Sequence, residues 1–225
     1  MKNFALSFIL FSSLCLCNCT EKKENNVEDN SSSTENVSEN VTKDKESRTK
    51  TSNSNHLTFK GVPIDGTLED FVSEMEKAGF TYIAEENGAA VLQGDFAGFK
   101  ECNIYVATLH GMDIVNAITV IIPSRTDWSD IEQKYRMLNE LLTEKYGEPA
   151  ENTEEFHSYL DPRSNHDKLR ALVMDNCDFK TVYDTPKGKI TVFIDSEHGL
   201  GSFLHLKYSD KINSDNLRSK VIDDL

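Results

Sequence analysis

Six histidines and five cysteines carry most of the chemistry that this 225-residue chain could perform. His157 and His166 flank Asp161 within residues 150–165, a stretch without apolar periodicity that reads as irregular. Loops often hold sites, and imidazoles around a carboxylate can move protons or ligate a metal. His157, Asp161 and His166 are therefore the candidate catalytic or metal residues. Their spacing matches no established mechanism, and solvated loop side chains account for it equally well. His205 alternates with Leu204 and Leu206 and reads as the solvent face of a strand. Trp128, the single tryptophan, starts a helical apolar stripe and reads as core rather than as a ligand platform. The acidic runs Glu85-Glu86 and Glu154-Glu155 read as solvated surface, with weak cation binding as the alternative.

Familiar catalytic signatures are missing. Glu197-His198 begins a zinc-protease pattern, but His205 comes seven residues later and Gly199 and Gly201 oppose a helix there. Gly199-Leu-Gly201 lacks the third glycine of a dinucleotide loop and precedes a strand. There is no Walker A loop and no Gly-x-Ser-x-Gly elbow. Asp161-Pro-Arg163 breaks the ligand alternation of a calcium loop. No cofactor, no metal and no catalytic set is expected, and the chain reads as a non-enzyme. A hydrolase built on the 150–165 loop remains an alternative.

The elements that must position these residues follow from capping and periodicity. Thr67-Leu-Glu-Asp70 is a capping box that starts a helix with Leu68, Phe71, Met75 and Ala78 on one face. Gly79-Phe80 reads as its C′ glycine with a hydrophobic clasp. Strands are expected at 82–84, 89–93 and 102–109, with a turn at His110-Gly111. Val115–Ile122 is apolar on both sides and reads as a central, doubly covered strand. Thr126 or Asp127 caps a second helix with a stripe of Trp128, Ile131, Tyr135, Leu138 and Leu142. A short helix is favoured by Leu169, Leu172 and Val173. Thr185-Pro-Lys-Gly188 marks a hairpin between 179–184 and 190–194. A strand at 203–208 and a helix at 214–225 close the chain. The order, helix then strands, occurs twice. An α+β fold is predicted: an antiparallel sheet with helices on one side, possibly as two tandem units.

Composition sets the outer limits. The chain has 24 basic and 38 acidic residues; residues 1–55 hold 7 and 8 of these, leaving 17 against 30 in residues 56–225. That excess repels phosphate backbones, so nucleic-acid binding is not expected. Residues 20–55 are Glu, Lys, Asn, Ser and Thr with three valines, too polar to form a core. As a coil they would span about 30–35 Å. Three segments result: 1–18 as a signal peptide, 19–55 as a disordered tether and 56–225 as a single domain.

Met1-Lys-Asn followed by an apolar run to Leu16 has the layout of a secretory signal peptide. Three cysteines close that run. Leu16 stands three residues before Cys19, and Thr20-Glu-Lys-Lys-Glu24 follows at once; this resembles the lipobox of bacterial lipoproteins. The resemblance implies lipidation of Cys19, with Cys17 (Leu14 three before it) as the runner-up. Asn18 departs from the small residue usual there, which bears on the cleavage position. Export brings Cys102 and Cys177, the only other cysteines, into an oxidising compartment where a disulfide is expected; two buried free thiols, or a catalytic thiol with a base that the sequence does not place, are the alternatives.

Phe59-Lys-Gly-Val-Pro-Ile-Asp-Gly66, Lys145-Tyr-Gly-Glu-Pro149 and Tyr208-Ser-Asp-Lys-Ile-Asn213 resemble phrases of an uncharacterised group of predicted Bacteroidetes lipoproteins. At fold level, tethered helix–sheet tandems are similar to β-lactamase-inhibitor-like and SmpA-type envelope proteins. The resemblance implies a protein anchored by lipid at the outer membrane, facing the periplasm or the surface. Its partners would be the membrane and an envelope protein or glycan. The expected function is a non-catalytic binding module, with an inhibitor or immunity-type protein covering a basic enzyme as the alternative.

Overall fold

A computed structural model describes residues 55–86, 89–109, 112–123, 127–157, 161–197 and 201–223. Cys15, Cys17, Cys19, residues 20–54, the His110-Gly111 turn, Thr126, His198 and Gly199 lie outside the described residues. The chain begins with a small ribbon, β1 (Thr58–Phe59) and β2 (Val62–Pro63), then helix α1 (Leu68–Lys77). A meander follows: β3 (Thr81–Glu86), β4 (Ala89–Phe96), β5 (Phe99–Thr108) and β6 (Val115–Ile122). Helix α2 (Trp128–Tyr146) leads to edge strand β7 (Glu151–Phe156) and the short helix α3 (Asn165–Val173). Strands β8 (Cys177–Thr185), β9 (Gly188–Glu197) and β10 (Gly201–Asp210) precede α4 (Lys211–Asp223).

Eight strands form one antiparallel sheet in the order β3-β4-β5-β6-β10-β9-β8-β7. The fold is α+β. Each half starts with a helix and has four strands that fill the sheet from an edge inward, with α3 inserted between β7 and β8 in the second, and their last strands, β6 and β10, pair at the centre. Hairpin turns cannot place a helix on a sheet; only the connections before β3, before β7, before β8 and after β10 carry one.

Local chemistry explains the helix ends. The Thr67 hydroxyl accepts from the Asp70 N–H at 3.2 Å, and Asp127 accepts from the Ser129 N–H at 3.3 Å. At the end of α1 the Phe80 N–H bonds to the Met75 carbonyl and the Gly79 N–H to that of Glu76, a Schellman motif with Gly79 at φ +96°. Phe80 is buried, as expected of the clasp, whereas Ala78 is exposed rather than on the apolar face. The β8–β9 hairpin turns at Pro186-Lys187, and Gly188 is obligatory: a Cβ there would lie 2.2 Å from the Ser209 carbonyl oxygen.

The core lies on one face of the sheet. Leu92, Ile104, Val120, Leu206 and Val192 form a cross-strand row, and all are fully buried. Beneath them pack Phe71 and Met75 of α1 and the full expected stripe of α2, Trp128 through Leu142. Each such large apolar side chain contributes about 1.5–3 kcal/mol on burial.

Three expectations need correction. β6 is central, but helices cover only one of its faces, so Ile121 and Thr119 stay half-exposed. Its continuous apolar run came from cross-strand contacts on the open side. Residues 150–165 are not wholly irregular, because 151–156 form β7. An edge strand with polar side chains on both faces shows no alternation, and edges are kept polar to resist further pairing. The last helix starts at Lys211, three residues early, since Asp210 accepts from the Asn213 N–H at 2.9 Å and caps it.

Candidate functional site

Directly opposed residues in an antiparallel pair share a face, so the register defines the side of the sheet that carries no helix among the described residues. One row across it is Gln93, Asn103, Ile121, His205, Phe193 and Lys180. The next is Val91, Tyr105, Thr119, Lys207, Thr191 and Val182. Phe203 stands beyond His205 on the same side of β10. Ile121, Phe193, Phe203, His205, Tyr105 and Val91 are all half-buried, against nearly complete burial of the opposite rows.

The aromatic groups are ordered against each other. His205 stacks on Phe193 with ring centroids 4.7 Å apart, and Phe203 meets His205 edge-on at 6.4 Å. Desolvation between these rings lowers the pKa of His205 from its ordinary value, opposed by the Asp195 carboxylate. The imidazole is therefore neutral at pH 7, and the band is apolar in character. Charges surround it: Lys180 reaches Glu151 at 3.7 Å, and Lys189 reaches Asp184 at 3.1 Å. The band thus has an apolar, aromatic centre with ion pairs at its β8–β9 side.

The expected loop site does not assemble. His157 directly follows β7, and its Nε2 lies 2.7 Å from Asp178 Oδ2. Asp161 pairs instead with Arg163 at 3.3 Å, and His166, on the first turn of α3, faces Asp167 at 4.0 Å. The three candidates thus have three different partners. The neighbours of His157 are Glu155 and Asp178, whose ligand atoms lie with its own within 4.8 Å of one another. The acidic run Glu154-Glu155 was legible as a possible cation ligand; Asp178 was not, because cross-strand pairing brings it in.

Cys102 and Cys177 do not meet, and the expected disulfide is corrected. They sit on β5 and β8, four inter-strand steps apart in the sheet order. At roughly 4.8 Å per step that is about 19 Å, while a disulfide needs Cα atoms within about 7 Å. Both are buried free thiols. Desolvation pushes Cys102 up to about 11 and Cys177 up to about 12, so neither is a thiolate near neutrality.

A groove of about 470 Å³ runs between α2 and the β7–β8 edge, lined in part by Arg136, Asn139, Thr143, Asn152, Glu154 and Tyr183. Its polar groups satisfy one another. Thr181 donates to Asn152 at 3.0 Å and shares a hydrogen bond with Tyr135 at 2.6 Å; Tyr183 donates to the Asn139 carbonyl at 3.0 Å. No histidine or cysteine is among its lining residues. Trp128 is fully buried, as expected, with its indole N–H donating to Glu132 at 2.8 Å.

The fold and surface define an α+β domain with a one-sided sheet. The chain matches no protein-family model, no curated protein and no solved structure.

Proposed function

We propose that this is a lipid-tethered envelope protein whose domain is a non-catalytic binding module, docking a basic protein on the helix-free face of its sheet. The observation that carries this reading is the stacked band of Phe193, His205 and Phe203 beside Ile121, on a face with no helix over it among the described residues. Half-buried aromatic surface rimmed by polar groups is where interface energy concentrates. The excess of 30 acidic over 17 basic residues in 56–225 selects a cationic partner and steers its approach. An inhibitor that covers a basic enzyme is a special case of the same surface. The Cys19 anchor and a tether of about 30–35 Å would hold the domain near other envelope components. Among the described residues no helix is long and apolar enough to cross a membrane.

Two measurements test it. Cys19→Ala should release the protein from membranes and abolish lipid labelling; labelling that moves to Cys17 would relocate the anchor. Cross-linking in envelopes of the native host should capture a basic protein from the wild type and lose it in Phe193→Glu. Capture should weaken with added salt. Equal capture by both chains would overturn the docking face.

A further inference from the structure

We propose that Glu155, His157 and Asp178 form a binding site for a transition-metal dication, with Zn²⁺ as the representative ion. Glu155 and Asp178 are directly opposed in the β7–β8 pair, and their side chains share the helix-free face. His157 lies two positions beyond Glu155 and so projects to the same side. Its backbone N–H donates to the Asn176 carbonyl at 2.8 Å, which extends the strand pairing past Phe156 and fixes where the imidazole starts. All three side chains are exposed, and their ligand atoms already lie within 4.8 Å of one another.

Two observations point to a cation. Like charges directly opposed across a strand pair repel. Neither Glu155 nor Asp178 has a lysine or arginine ion-pair partner among the described residues; the one ionic neighbour is His157. Second, the donor set is one imidazole and two carboxylates. Magnesium and calcium prefer oxygen alone, whereas imidazole suits zinc, copper and nickel. Zinc ligands at about 2.0–2.2 Å from the ion stand roughly 3.3 Å from each other in a tetrahedral set. The His157–Asp178 pair at 2.7 Å need only open slightly, and Glu155 close in. On binding, Nε2 gives up its hydrogen bond to Asp178 and presents its lone pair, with the ring proton on Nδ1. Three protein ligands leave the fourth position open on the side of the sheet that faces a partner.

Calorimetric titration of the full chain with Cys15, Cys17 and Cys19 replaced by serine, without a histidine tag, with Zn²⁺ tests this. The expected result is one saturable site, lost in His157→Ala, weakened in Glu155→Gln and in Asp178→Asn, and retained in His166→Ala. Mg²⁺ over the same range should not compete. Absence of saturable binding, binding that survives His157→Ala, or equal binding of Mg²⁺ would each overturn the proposal. Because these side chains are exposed, the variants should keep the wild-type circular dichroism, which separates loss of ligand from loss of fold.

Discussion

Phe193 and His205 face each other directly across the β9–β10 pair, and their rings stack at 4.7 Å with planes 11° apart. Each is on the solvent side of its strand, yet together they build an apolar surface that neither makes alone. Immediately behind them, Val192 and Leu206 form a cross-strand pair in the closed core. One strand pair thus separates an open face from a packing face by alternation alone.

That separation predicts opposite mutational costs for adjacent residues. Leu206→Ala should cost about 2–5 kcal/mol, because it leaves a cavity in the buried row. Phe193→Ser should cost about 1 kcal/mol, the stacking contribution of a half-exposed ring. Urea denaturation of the two variants checks this; equal costs would mean that the open face is covered.

The imidazole of His205 gives the stack a pH dependence. Its folded pKa lies below the ordinary value near 6.5, so the unfolded chain takes up a proton first as pH falls. Its contribution is full above about pH 6.5 and is lost as pH drops toward the folded value. His205→Phe should flatten this part of the stability profile below about pH 6.5. A profile unchanged by the substitution would show that other groups set it.

Both domain thiols should be inert in the native state. With Cys15, Cys17 and Cys19 replaced by serine, a thiol reagent at neutral pH should label neither Cys102 nor Cys177 until denaturant is added. Two thiols should then titrate without reductant, since the strands hold them too far apart to pair. Finding none would restore the disulfide.

Asp210 should be among the costliest polar positions. Fully buried, it accepts from the Leu57 N–H at 2.8 Å and the Asn213 N–H at 2.9 Å, and His56 Nδ1 lies 3.1 Å away. It therefore caps α4 and fastens the first residues of the domain to the last strand. Asp210→Ala removes the cap and orphans buried donors, at about 2–4 kcal/mol. Asp210→Asn keeps one acceptor oxygen and should cost less. Thermal melts of both variants decide it; the same loss in each would assign the effect to charge.

The sequence alone determined what depends on neighbours along the chain. Thr67, Asp127 and the Gly79-Phe80 clasp set helix ends through bonds within a turn, and Trp128 to Leu142 marked a buried stripe by spacing. Pro186-Lys187 before Gly188 fixed a hairpin through local backbone geometry. The α+β class and the doubled order of helix then strands followed from these. Tertiary structure decided everything that depends on strand partners. Pairing of β6 with β10 set Cys102 and Cys177 about four strand spacings apart, near 19 Å. It also determined which side of Val115–Ile122 stays open, and it gave polar β7 its place at an edge. His157 was legible as a candidate ligand, but Asp178, twenty-one residues away, became its neighbour only through the β7–β8 register. Alternation tells which residues share a face of one strand; the face that meets a helix is fixed only when the whole sheet closes on its core.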